Sequence, residues 1–119
     1  MAPGAGTEEV STAAATESPC CCPRYHEAVE LVGKRWTGAI LYVLLHGGRL
    51  RFTEIAQAVP DLSDRLLSER MKELESRGIV ARHVSECTPV KVCYELTEKG
   101  RELAPAMAEL KAWADRWLD

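Results

Sequence analysis

Aromatic side chains are scarce in this 119-residue chain, at 6%, and no apolar run approaches the roughly 18 residues that a membrane span needs. The N-terminus has neither a basic segment nor the apolar core of a signal peptide, so a cytoplasmic, nucleoid-associated protein with no membrane partner is expected. Equally absent are a glycine-rich phosphate loop, a histidine pair at metal-ligand spacing, and any Ser, His and acid constellation. No enzymatic activity and no cofactor are therefore expected. The length suits one domain with a modest core and leaves no room for a separate substrate domain. Five cysteines, an odd number, do not make a disulfide framework in a reducing compartment, so each thiol needs its own argument.

A net charge of −3 argues at face value against a nucleic-acid partner, but its distribution matters more. Residues 1–19 contain Glu8, Glu9 and Glu17 and no Lys or Arg, while residues 20–119 balance at fifteen of each sign. Within that remainder, residues 33–91 hold ten basic against seven acidic side chains. This mild basic bias permits phosphate contacts in the middle of the chain.

Residues 1–19, rich in Ala, Gly, Ser, Thr, Pro and Glu, are expected to be a disordered tail, and residues 20–119 the folded domain. Pro23 suits the first turn of a helix that Gly33 stops. A second helix is predicted from about Lys34, with Trp36, Ile40, Leu41, Val43, Leu44 and Leu45 on an apolar face that ends at Gly47 and Gly48. "RLRF" predicts a short strand. Thr53 is the expected N-cap of "EIAQAV", which Pro60 ends, and Ser63 caps a longer helix running to Arg77 and closed by Gly78. A short helix, a tight turn and a second helix is the helix-turn-helix arrangement. "IVARHV" and "VCYEL" then read as a β-hairpin, and a final helix is predicted from Glu98 to about Leu118, kinked or started late at Pro105. The fold class is mostly α with a small β-hairpin wing, a winged helix-turn-helix, set against the plainer alternative of an unspecialised small α+β domain.

Helical periodicity places Leu66, Leu67, Met71 and Leu74 on one side of the second helix of this pair. Arg65, Ser68, Glu69, Lys72 and Ser76 fall on the other. A guanidinium near the N-terminus, a hydroxyl and an ammonium further along are what base and phosphate recognition needs. Ser63 and the first-turn amides add an anion site. The competing reading makes Arg65, Glu69 and Lys72 ordinary surface charges that support one another. Arg70 projects between Leu66 and Leu74, so a structural role is expected for it. On the wing, Lys91 near the tip is placed to meet a phosphate or the minor groove, whereas His83 is expected to face nothing in particular.

The run from Cys22 to Trp117 resembles the HxlR-type winged helix-turn-helix transcriptional regulators of prokaryotes. The motifs that carry the resemblance are Cys-Pro at the first helix, "VGKRWT" before the second, "RFTEI", "LSDRLLSERMKELESRGIVAR" and "YELTEKGREL". In "VGKRWT" Lys34 is one residue further from Trp36 than the family's usual Lys-Trp pair. The resemblance implies a homodimer on double-stranded DNA that represses or activates nearby genes; repression is expected here, and the residues expected at the DNA are Thr53, Ser63, Arg65, Ser68, Glu69, Lys72 and Lys91. It also implies a dimer built from the first and last helices, through Tyr25, Val29, Leu103, Met107, Leu110, Trp113 and Trp117. Two tryptophans at i and i+4 on a terminal helix need covering, which agrees independently. A two-fold dimer would set its recognition helices about 34 Å apart and predict an inverted-repeat operator.

Cys22, at a helix N-terminus and two residues from Arg24, has a physical reason to favour thiolate. Some members of the family sense oxidants or electrophiles through the matching cysteine, so Cys22 is the expected redox-sensing residue, against the alternative of a packed thiol. No metal is expected, because adjacent cysteines in "CCC" cannot easily converge on one tetrahedral ion. Completing a site would require Cys87, Cys93, His26 or His83. Two other functions remain open: a winged-helix module that binds a protein, and a regulator that answers to a small-molecule effector.

Overall fold

The structure, a computed structural model, describes residues 22–85 and 90–119, so the expected tail and the thiols Cys20, Cys21 and Cys87 lie outside the described residues. The chain divides into two units, residues 1–31 and 32–119. The described part of the first is helix α1 (Pro23–Val32) up to Leu31. Pro23 opens it without losing a helical hydrogen bond, and the His26 N–H donates to the Cys22 carbonyl at 2.9 Å. No residue of α1 is buried; Tyr25 and Val29, one turn apart, are both exposed.

In the second unit α2 (Thr37–Gly47) begins three residues later than the periodicity predicts. Trp36 has φ 75°, a left-handed conformation that no helix interior accepts. Residues 34–37 therefore close a turn in which the Thr37 N–H donates to the Lys34 carbonyl at 2.9 Å. Ile40, Leu41 and Leu44 give α2 its buried face. Gly48, at φ 76°, turns the chain into β1 (Leu50–Arg51).

Helix α3 (Phe52–Ala58) follows at once. Its start corrects the expected Thr53 cap: the Glu54 carboxylate reaches back to accept the Arg51 N–H at 2.8 Å, which places Arg51 at the cap and Thr53 inside the first turn. The connection to α4 (Asp64–Ser76) buries Val59 and Leu62, and the Ser63 hydroxyl caps α4 by accepting the Leu66 N–H at 3.2 Å. Leu67, Met71 and Leu74 are buried against the core.

Strands β2 (Val80–Val84) and β3 (Val92–Leu96) pair antiparallel with Val80 opposite Leu96 and Val84 opposite Val92, and β1 joins the other edge of β3. The order β1-β3-β2 makes a three-stranded sheet whose buried Val80 and Leu96 face the helices. This is a winged helix-turn-helix.

The predicted final helix is broken. A short α5 (Glu98–Arg101) ends before α6 (Ala104–Trp117), with Pro105 in the first turn of α6, where its missing N–H costs nothing. The motif "TEKGR" ties this break to the corner between α4 and β2. The Thr97 hydroxyl donates to the Gly78 carbonyl at 2.6 Å, Lys99 Nζ to the Arg77 carbonyl at 2.7 Å, and Arg101 Nη1 to the Leu96 carbonyl at 2.6 Å. The end of α4, the base of the hairpin and α5 are thus fastened at one place.

Candidate nucleic-acid interface

Helix α4 keeps the two faces expected of it. Arg65 has 91% of its side chain exposed, Glu69 and Lys72 are exposed, and Ser68 is half-buried. Arg65 Nε lies 3.5 Å from Glu69 Oε2, one helical turn on, so the carboxylate steadies the guanidinium on the outer face. An ion pair this exposed is easily exchanged for a base edge or phosphate. The Ser63 oxygen is engaged with its own helix, which leaves its hydroxyl proton for a phosphate. Thr53, though not a cap, is exposed in the first turn of α3. Ser76, at the far end, donates to the Glu73 carbonyl at 2.8 Å.

Arg70 is fixed differently. Its Nε donates to the carbonyl oxygen of Arg35 at 3.0 Å, the structural role its position on the packed side predicts.

The wing closes as a hairpin where the Ser85 N–H donates to the Lys91 carbonyl at 2.7 Å, and Lys91 itself is exposed. His83 corrects its expectation. It is half-buried, and its Nε2 lies 2.7 Å from Glu95 Oε1, which also accepts from Arg49 Nη2 at 2.9 Å. The Arg49 hydrogen bond holds the Glu95 carboxyl below the usual carboxylate range against the opposing effect of desolvation, with the Arg49 charge and then His83 adding to it. Arg49, Arg82 and Lys91, with His83, Ser85 and Cys93, line a cationic cleft of about 360 Å³ along the wing. Sequence reasoning missed Arg49 here. The alternation in "VCYEL", which puts Cys93 and Glu95 on one face, was the available signal.

A depressed carboxylate contributes stability above its unfolded pKa and loses it as pH falls through the folded one. Glu95→Gln is therefore expected to flatten the acid side of the stability curve, measured as urea midpoints at falling pH. An unchanged pH profile in the variant would remove the Arg49 and His83 contacts from the folding balance.

Cys22 is an exposed thiol immediately before α1, and Cys93 is half-buried. Among the described residues no set of three His, Cys, Asp or Glu side chains converges to hold a metal ion, and no helix is long and apolar enough to cross a membrane. Of the residues assigned to a dimer surface, Tyr25, Val29, Leu110, Trp113 and Trp117 are exposed, while Leu103 and Met107 are half-buried.

Comparison with known proteins gives concordant matches. A family model described as HxlR-like helix-turn-helix matches residues 31–119. The uncharacterized HTH-type transcriptional regulator YvaP of Bacillus subtilis (strain 168) is 50% identical over 98 residues, covering 82% of this chain and 90% of YvaP. The HTH-type transcriptional regulator YodB of the same organism is 48% identical over 98 residues, covering 82% of this chain and 87% of YodB. The solved reduced form of YodB superposes with a TM-score of 0.76 over 84% of this chain and 97% of that chain. YodB has also been solved diamide-treated and quinone-bound. The redox regulator HypR in its oxidized form is 36% identical, with a TM-score of 0.75 over 82% of this chain and 99% of that chain.

Proposed function

The chain belongs to the HxlR-like helix-turn-helix family of transcriptional regulators, and from that premise we propose that it is a cytoplasmic repressor that binds an inverted-repeat operator as a homodimer and is controlled by thiol chemistry at Cys22. The observation that carries the DNA reading is α4 itself: Leu67, Met71 and Leu74 are buried while Arg65, Glu69 and Lys72 are left to solvent. With α4 in the major groove, Arg65 reads a guanine edge and Lys72 meets a phosphate. Lys91, Arg82 and the Arg49 cleft follow the flanking backbone, and the Ser63 and Thr53 hydroxyls fix register on phosphates.

The thiol reading rests on the exposed Cys22 at the helix start, supported by likeness to regulators solved with a quinone bound and in oxidized form. The positive end of α1 favours the thiolate. Its sulfur adds to a quinone ring carbon to form a C–S bond, the hydrogen on that carbon leaves as a proton, and this proton and one from the medium complete the two hydroxyls of a hydroquinone thioether.

Mobility shifts on the gene's own upstream region, at two salt concentrations with and without a quinone, test both parts. Wild-type affinity should fall steeply with salt. Arg65→Ala should weaken binding about tenfold or more, the cost of one lost bidentate base contact. Cys22→Ser should bind as the reduced wild type does and ignore the quinone. Equal quinone responses in wild type and Cys22→Ser would remove Cys22 as the sensor, and salt-insensitive or absent binding would leave a protein-binding module instead.

A further inference from the structure

The turn between α1 and α2 makes two contacts with α4 that DNA recognition does not call for. Lys34 Nζ lies 3.2 Å from Glu73 Oε1 and 3.3 Å from Glu73 Oε2. Arg70 Nε donates to the Arg35 carbonyl at 3.0 Å. Arg70 and Glu73, three positions apart, are neighbours on the flank of α4. That flank runs between the buried Leu67 and Leu74 side and the outer face of Arg65, Glu69 and Lys72, and both residues on it are half-buried. An adjacent pair of residues in the turn thus grips an adjacent pair on the helix.

The turn is itself held in an unusual shape. Trp36 sits at φ 75° and ψ −15°, a conformation that glycine takes freely and a bulky residue does not. Strain of this kind persists only where surrounding contacts over-determine it. Here they do: the Thr37 N–H donates to the Lys34 carbonyl at 2.9 Å, the Ile40 N–H donates to the Trp36 carbonyl at 3.0 Å, and the Arg35 guanidinium lies 5.2 Å from the Trp36 ring centroid. The oxygen that Arg70 grips belongs to the peptide joining Arg35 to Trp36. Relaxing Trp36 out of the left-handed region reorients that peptide and withdraws the acceptor from α4.

We propose that residues 34–36 position the recognition helix. Lys34 through Glu73, and the Arg35 carbonyl through Arg70, hold α4 at the orientation in which its outer face meets DNA, without touching DNA themselves. This rests on the reading of α4 as the helix that enters the groove. An ion pair as exposed as Lys34 and Glu73 adds little to stability, so its reversal should leave the domain folded and appear as lost orientation.

Charge exchange tests this. Operator affinity and its salt slope are measured for wild type, K34E, E73K, the double exchange K34E/E73K, and Arg70→Lys, which keeps a cation but loses the Nε donor. Each single reversal should weaken binding about three- to tenfold, with the double exchange within about twofold of wild type. Arg70→Lys should weaken binding with the slope unchanged. Were Lys34 a phosphate contact, K34E would lower the slope, E73K would strengthen binding by adding a cation, and the exchange would restore nothing. Either that pattern or single reversals that bind as wild type overturn the proposal. Amide exchange of α4, measured without DNA, separates this from failure of the DNA reading. Exchange that is faster in K34E and restored in the double exchange supports the grip even if the wild type binds no operator, and exchange unchanged by K34E rejects it.

Discussion

Gly100→Ala is expected to destabilise the domain by about 2–4 kcal/mol, although replacing a helical glycine by alanine ordinarily stabilises by about 1 kcal/mol. The sign is set by what the new methyl group would meet. A Cβ on Gly100 would collide with the Ile79 carbonyl oxygen and would press on Ile79 Cγ2 and Leu96 Cδ2 at 3.1 Å each. The oxygen cannot easily retreat. It accepts the Thr97 N–H at 2.9 Å and is approached by the Thr97 hydroxyl at 3.1 Å, so moving it sacrifices hydrogen bonds at the junction of β2, β3 and α5. Gly100 is also buried, which leaves no outward path for the methyl group. Gly38→Ala is the internal control: its Cβ would meet only the Val32 carbonyl at 3.6 Å, an ordinary contact, and helix propensity should then win by up to about 1 kcal/mol. Urea unfolding with unchanged m-values reads both. A Gly100→Ala protein as stable as wild type would mean that the close approach at Ile79 is not what requires glycine.

The same junction shows what could and could not be taken from the sequence. The period of α4 and its Ser63 cap are local signals, so the helix and its two faces are legible from residues 63–78 alone. The glycine of "TEKG" is visible as a motif, but its reason lies 21 residues away at the Ile79 carbonyl. The left-handed Trp36 has no local signal at all, because the neighbouring Gly33 is the residue that propensity nominates for the turn. Thr53 was the natural cap by type, and Glu54 displaced the start of α3 because a longer side chain reaches back to the Arg51 N–H. The contact of His83 and Arg49 with Glu95 depends on strand register, which becomes visible only once Arg51 is opposite Cys93 and His83 opposite Cys93. Side chains that act alone were legible, and those that act through a partner distant in sequence were not.

The double variant Trp113→Glu, Trp117→Glu is expected to convert a dimer into a folded monomer and to weaken operator binding about 100-fold or more, through loss of the second half-site. Trp113 and Trp117 are 50% and 66% exposed, one turn apart on α6, and Leu110 continues the stripe. Lys111 Nζ pairs with Asp115 Oδ2 at 2.6 Å beside the stripe, and the stripe itself is an uncovered apolar face. Beside the stripe, Val32, Gly38, Tyr42, Met107, Lys111 and Ala114 join Leu110 around a mostly apolar groove of about 460 Å³. Each indole can bury about 150–250 Å², and leaving two exposed to water beside a mostly apolar groove is the arrangement that marks an interface. Because both tryptophans are already exposed in the single chain, replacing them should cost the monomer fold no more than about 0.5 kcal/mol. Four carboxylates brought into a two-fold contact would oppose association strongly. Light scattering should therefore fall from twice to once the 13.2 kDa of the chain, with the salt slope of DNA binding dropping by about half as one half-site is lost. A variant that stays dimeric would place the interface elsewhere. A monomeric variant that binds the operator as tightly as wild type would separate dimerisation from DNA recognition, and the inverted-repeat operator would lose its basis.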